Sequence, residues 1–260
     1  MAIGAHPDDI EFMMAGTLLL LRQAGWVTHY LTVANGSCGS SVWSAARITR
    51  ARRAESMAAA NVLRAEFHES LVNDLEVLYE RKTLRQLAAI IREVNPVILL
   101  VPSPQDYMED HTNSCRLAVT AAFVRGMRNF KTSPNRKPVT GDAAIYHAMP
   151  HGLRDPLGRR VAPGVFVNTT QVQPAKAEAL AAHQSQQQWL AESQSMNQYL
   201  ATLDEFGREL GRMSGKFKYA EGWRKHLHYG FGPEGWDPLR EALGRSVLVN
   251  QNYQVQLKQY

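Results

Sequence analysis

Ala2-Ile3-Gly4-Ala5-His6-Pro7-Asp8-Asp9-Ile10-Glu11-Phe12 is the stretch whose reading decides the fold of this chain. A short apolar run stops at a histidine, a proline and two aspartates, and an apolar helical pattern follows from Met13 to Leu21. A strand that gives way to a helix through such a cluster opens an α/β layer, where ligands bind at the carboxyl ends of the strands. His6, Asp8 and Asp9 cannot all enter a core, because buried carboxylates need partners or a metal. His6 and Asp9 lie three positions apart and converge on one ion if the turn between them is tight. Imidazole with carboxylate suits zinc, whose catalytic sites use three protein ligands and keep one position open. Two plainer readings stand beside this one. Asp8 or Asp9 caps the following helix, and His6 is a hydrogen-bonded residue at a strand end.

The pattern repeats further along the chain. A helix over Met13–Ala24 ends at Gly25, and Trp26–Ala34 reads as a second strand. The small residues Asn35 to Ser41 form a loop that lets backbone approach a ligand. It lacks the full Gly-x-Gly-x-x-Gly or P-loop pattern, so nucleotide binding is not indicated. Ser44–Arg64 is a long helix carrying Arg47, Arg50, Arg52 and Arg53, with Glu55 placed to pair with Arg52 along the helix. A short strand is expected over Phe67–Leu71 and an amphipathic helix over Glu80–Val94. Asn95-Pro96 stops that helix, and Val97–Val101 is continuously apolar, as a strand buried on both faces of a parallel sheet would be. This alternation predicts a Rossmann-like α/β three-layer sandwich with a mostly parallel central sheet.

After that strand comes a second polar cluster, Pro102-Ser103-Pro104-Gln105-Asp106-Tyr107-Met108-Glu109-Asp110-His111, leading into a helix that runs to about Met127. It brings a further histidine to the same sheet edge, so His6, Asp9 and His111 make a His-Asp-His zinc set with an open position. Strands are expected over Ala143–Met149 and Val165–Val167, and one helix over Lys176–Arg212. Residues 1–212 read as the main domain and residues 213–260 as a covering segment of the same domain.

Composition narrows the function classes. Hydrophobic residues make up 45% and charged residues 20% of the 260, as in a globular domain. The formal charge of +5 permits an anionic ligand without requiring one. Cys38 and Cys115 lie far apart, so neither a thiolate zinc site nor a disulfide framework is indicated. No apolar run is long enough to span a bilayer and no basic leader precedes the first strand, so a cytoplasmic protein without membrane insertion is expected. The basic runs come with no nucleic-acid motif, and no nucleic-acid partner is expected.

Together the motifs resemble the LmbE-like or PIG-L family of zinc-dependent N-deacetylases. The resemblance rests on Ala5-His6-Pro7-Asp8-Asp9 with Gly16-Thr17, on Arg52-Arg53-Ala54-Glu55, and on Asp106-Tyr107-Met108-Glu109-Asp110-His111. It ends with the stretch from Lys176 to His183-Gln184-Ser185-Gln186. It implies that His6, Asp9 and His111 bind Zn2+ and that Asp8 is the general base. It also implies that Arg52, held by Glu55, reaches the substrate, with Tyr107 and His183 close by. The implied substrate is a small N-acetylated sugar or sugar-like molecule, and homo-oligomers fit the resemblance. One departure matters: the family pattern is His-Pro-Asp-His where this chain has Met108-Glu109-Asp110-His111. The missing histidine would stabilise an oxyanion or protonate the leaving amine, which a thioether cannot do. Tyr107, His147 and His183 are the candidates to replace it. If none does, the chain is a catalytically impaired metal-binding member of the fold.

Overall fold

The computed structural model describes residues 1–194 and 198–258. Its strands are β1 (Ala2–Gly4), β2 (His29–Thr32), β3 (Glu66–His68), β4 (Ile98–Val101), β5 (Ala144–Ala148), β6 (Val165–Asn168), β7 (Ala220–Lys225) and β8 (Val247–Val249). They form one eight-stranded sheet in the order β3-β2-β1-β4-β5-β7-β6-β8. The run from β3 to β5 is parallel, and the pairs β5–β7, β7–β6 and β6–β8 are antiparallel.

The inner parallel strands β1, β2, β4 and β5 are buried on both faces, and side chains alternate between two cores as the strand period requires. Ala2, Tyr30, Leu100 and Tyr146 face one core, and Ile3, Leu31, Leu99, Val101 and Ile145 face the other. The first core is covered by α1 (Asp9–Met13), α2 (Ala15–Gln23), α3 (Ala45–Val62) and, later in the chain, Gln173–Ala181 and Tyr199–Ser214. The second is covered by α4 (Arg81–Val94) and α5 (Glu109–Phe123). The layered, mostly parallel α/β architecture agrees with the sequence expectation.

β1 lies between β2 and β4. The chain leaves β1 towards β2, whereas it leaves β4 through α5 towards β5. The crevice between the ends of β1 and β4 is therefore a topological switch point, the usual ligand position of an open α/β sheet. Both polar clusters empty into it.

Three expectations are corrected. The helix expected over Met13–Ala24 starts earlier and is broken at Met14, whose φ of −135° interrupts the spiral between α1 and α2. The single helix over Lys176–Arg212 is instead α6 (Gln173–Ala181), α7 (Gln184–Gln194) and α8 (Tyr199–Ser214), with residues 195–197 of that stretch outside the described part. Residues 213–260 do more than cover the sheet, since they supply β8 and insert β7 between β5 and β6.

β7 is tied to the start of the chain. Buried Glu221 accepts hydrogen bonds from Gly16 N (2.8 Å) and Thr17 N (2.7 Å), which are orphan donors of the first turn of α2, and from Lys176 Nζ (2.6 Å). Trp223 Nε1 donates to Thr17 Oγ1 at 3.0 Å. A Cβ at position 16 would come within 2.5 Å of Thr169 Cγ2 and 3.0 Å of Glu221 Oε1. Gly16-Thr17 is thus the seat on which β7 is docked.

Candidate metal centre

His6 follows β1, and His111 lies in the first turn of α5 after β4. Each ring has one nitrogen committed to a carboxylate. His6 Nε2 meets Asp110 Oδ2 at 2.9 Å, and His111 Nδ1 meets Asp106 Oδ1 at 2.8 Å. These acceptors place the ring protons on His6 Nε2 and His111 Nδ1 in the neutral tautomers. The remaining nitrogens, His6 Nδ1 and His111 Nε2, face each other at 3.3 Å. Asp9 completes the group: its Oδ2 is 3.7 Å from His6 Nδ1 and its Oδ1 is 3.4 Å from His111 Nε2. Asp9 Oδ2 is itself held by Ala5 N (2.9 Å) and His6 N (2.7 Å).

Two lone pairs pointed at one another beside a carboxylate repel unless a positive charge lies between them. The donor set therefore fits a divalent cation, with Asp110 and Asp106 orienting the imidazoles as outer partners. Among the described residues, His6, Asp9 and His111 form the group whose donor atoms all lie within 4.8 Å of one another. Two imidazoles and one carboxylate suit zinc-type ions better than magnesium. These are the three residues that the two polar clusters of the sequence point to.

Protons compete with a cation for these donors. Burial would lower His6, but its hydrogen bonds to Asp110 and Asp9 raise it to about 10. His111 is also raised, burial again being outweighed, here by Asp9 and Asp106. Asp9 is held well below the usual carboxylate range: burial opposes this, and His111 and His6 overcome it. Because His6 is raised above its ordinary 6.5, at pH 8 it holds a proton that a cation must displace. Loading with zinc at pH 8 is expected to release protons, and affinity to climb with pH towards about 10. Calorimetry in buffers of different ionisation enthalpy checks this, and heats independent of the buffer would contradict it.

Asp8 occupies the N-cap position of α1 with φ 109°, a conformation costly for any residue with a Cβ. Its carboxylate does not cap the helix. It turns inward, is buried, and Oδ2 accepts from Tyr199 Oη at 2.7 Å. Asp9 does not cap either, since its carboxylate folds back on Ala5 and His6. Neither carboxylate makes the capping hydrogen bond that the plainer reading of the aspartates expects. Burial pushes Asp8 up to about 6; Arg52 opposes this and the charge of Asp9 adds to it.

Arg52 is buried, and its Nε and Nη1 find no hydrogen-bond partner among the described residues. Its Nη2 is hydrogen-bonded to Gln186 Oε1. Glu55, expected to hold it, instead accepts from Ser185 N (2.8 Å) and Ser185 Oγ (2.7 Å). The small-residue loop has a different use from the one expected. Gly36 N and Cys38 N donate to Asp74 (2.7 and 2.9 Å), and a Cβ at Gly36 would come within 2.7 Å of Arg52 Nε. The glycine makes room for the arginine rather than for a ligand.

The three histidine substitutes proposed from sequence fall in different places. His183 is fully buried, with Nε2 3.3 Å from Glu11 Oε1, close enough to Asp8 to lower its pKa. His147 is turned away, its Nδ1 3.2 Å from Pro102 O and its Nε2 2.8 Å from His226 Nδ1. Exposed Tyr107 stands edge-on to His111, ring centroids 5.8 Å apart. Met108 is half-buried at the N-cap of α5, and its N–H donates to Asp106 Oδ1 at 3.2 Å.

Four residues of the site escaped the sequence reading. Asp106 and Asp110 lie within the second polar cluster, and their spacing from His111 is the signal that marks them. Tyr199 and His151 gave none. His151 follows β5 in a short turn, and its ring meets Phe12 (5.5 Å), Phe206 (5.0 Å) and Tyr107 (6.3 Å).

Residues 1–123, which contain all three candidate ligands and Asp8, match the family model PIG-L, described as GlcNAc-PI de-N-acetylase. A 4-oxalmesaconate hydratase of Pseudomonas putida is 28% identical over 188 residues, covering 69% of this chain and 70% of that protein. A diacetylchitobiose deacetylase of Thermococcus kodakarensis is 28% identical over 235 residues, covering 86% and 81%. The solved N,N'-diacetylchitobiose deacetylase from Pyrococcus horikoshii superposes with a TM-score of 0.74 at 22% identity, covering 92% of this chain and 87% of that one, a likeness of fold. Among the described residues no helix is long and apolar enough to cross a membrane. The similarity to the PIG-L, or LmbE-like, family is carried by residues 1–123.

Proposed function

We propose that this chain is a zinc-dependent hydrolase that removes an N-acyl group, acetyl in the first instance, from an amino sugar or sugar-like amine. The observation that carries the reading is the position of Asp8. It is adjacent in sequence to Asp9, outside the donor set, buried, and oriented by Tyr199. When bound at His6, Asp9 and His111, zinc supplies Lewis acidity for the acyl oxygen and for water. Asp8 accepts a proton from the attacking water as its oxygen bonds to the acyl carbon. The C–N bond then breaks, and the proton held on Asp8 Oδ passes to the leaving nitrogen. A buried carboxylate oriented by Tyr199 beside the donor set suits both halves of this transfer. Arg52, with Nε and Nη1 unpaired in a buried setting, is suited to a substrate hydroxyl or carboxylate. The relatives named as deacetylases support the reaction class.

Release of acetate from a panel of N-acetyl sugars, with zinc fully loaded, tests the reading. Acetate from at least one sugar supports it, and silence across the panel returns Met108 to the centre as the mark of an impaired member. Arg52 also favours a second reading, the addition of water to an unsaturated carboxylate, in line with the relative named as a hydratase. Loss of diene absorbance without acetate release distinguishes that outcome.

A further inference from the structure

We infer that His151 is the hydrogen-bond donor to the reacting carbonyl oxygen of the substrate, filling the role left vacant by Met108. The inference rests on the proposed hydrolysis, and three observations lead to it. The first is availability. The rings of His6 and His111 are committed to Asp110 and Asp106, that of His147 to Pro102 and His226, and that of His183 faces Glu11. Among the described residues the ring nitrogens of His151 make no hydrogen bond, and they are absent from the polar atoms sealed off from solvent. They are open to a ligand.

The second is location. His151 follows β5, whose carboxyl end lies at the same sheet edge as those of β1 and β4. One carboxylate ties it to the centre: Asp106 Oδ1 holds His111 Nδ1 while Asp106 Oδ2 accepts from His151 N at 3.2 Å. A single side chain thus sets the spacing between a candidate ligand and the proposed donor.

The third is rigidity. Phe12 and Phe206 both stand edge-on to the ring, and Tyr107 leans against it. Phe12 also stacks edge-on with Tyr199, the orienting partner of Asp8, at 5.2 Å. The imidazole is therefore packed by the same aromatic group that supports the base.

The test uses the zinc-loaded protein and two independent readouts. Methylphosphonate carries the tetrahedral oxyanion geometry without needing turnover. His151→Gln is expected to weaken its binding, by calorimetry, about tenfold or more, with zinc content and circular dichroism unchanged, whereas His147→Gln leaves binding at the wild-type level. With an N-acetyl substrate, kcat is expected to fall about 10²–10³-fold in His151→Gln with little change in KM. Met108→His added to that variant is expected to recover at least tenfold by restoring the family donor. Methylphosphonate binding that is absent from the wild type, or equal in wild type and His151→Gln, overturns the inference. A wild type that releases no acetate, yet binds methylphosphonate through His151, overturns the proposed hydrolysis and leaves the donor assignment standing.

Discussion

Replacing Asp8 with Asn is expected to reduce turnover about 10²–10⁴-fold, the range for loss of a general base, while zinc content stays at the wild-type level. The amide has the shape of the carboxylate, so Tyr199 still donates to its oxygen, but it cannot accept the proton of water. His6, Asp9 and His111 are untouched, so the ion should remain. Asn is preferred to Ala because residue 8 sits at φ 109°, and Asn tolerates positive φ better than other residues with a Cβ. Ala would mix strain and an emptied buried site with the chemical effect. Steady-state kinetics beside metal analysis provide the check. Turnover within tenfold of wild type would remove Asp8 from the role of base.

Lys176→Met is expected to destabilise the protein by about 3–5 kcal/mol, since it leaves a buried charge without its partner. Lys176 and Glu221 are both fully buried and 2.6 Å apart. Without the ammonium, Glu221 keeps only the Gly16 and Thr17 amides. Its cost then falls on the junction between β7 and α2. At roughly 2–4 °C per kcal/mol for a chain of this size, the melting temperature should drop by about 10 °C. Adding Glu221→Gln to the variant removes the orphaned charge and is expected to restore part of the loss. Thermal unfolding of the single and double variants checks this, and a double variant less stable than Lys176→Met would contradict the account.

The two predictions concern parts of the molecule that were unequally legible in the sequence. The parallel half announces itself because its strands obey period and burial rules: Val97–Val101 is apolar throughout and becomes β4, and the His-Pro-Asp-Asp turn follows β1 at the switch point. The candidate ligands were legible for the same reason, as polar residues in the two places where an α/β sheet exposes a crevice. β7 was not legible. Ala220-Glu221-Gly222-Trp223-Arg224-Lys225 carries three charges and a glycine, and only tertiary partners, Lys176 with the Gly16 and Thr17 amides, make burial of Glu221 tolerable. Likewise Glu55 stands at helix spacing from Arg52, but a long-range partner, Ser185, captures it. Tyr199 and His151 reach the centre from elements distant in sequence, and no local pattern marks a lone tyrosine or histidine as part of a site.

The central claim is that the two polar clusters close on one ion. Its most direct test is the metal content of the purified chain, measured by mass spectrometry after chelation and reloading with zinc, wild type beside His111→Ala. The account predicts about one zinc per wild-type chain and its loss in the variant, with the fold retained by circular dichroism. A wild type that retains no zinc, or a His111→Ala variant that keeps it, would contradict the account.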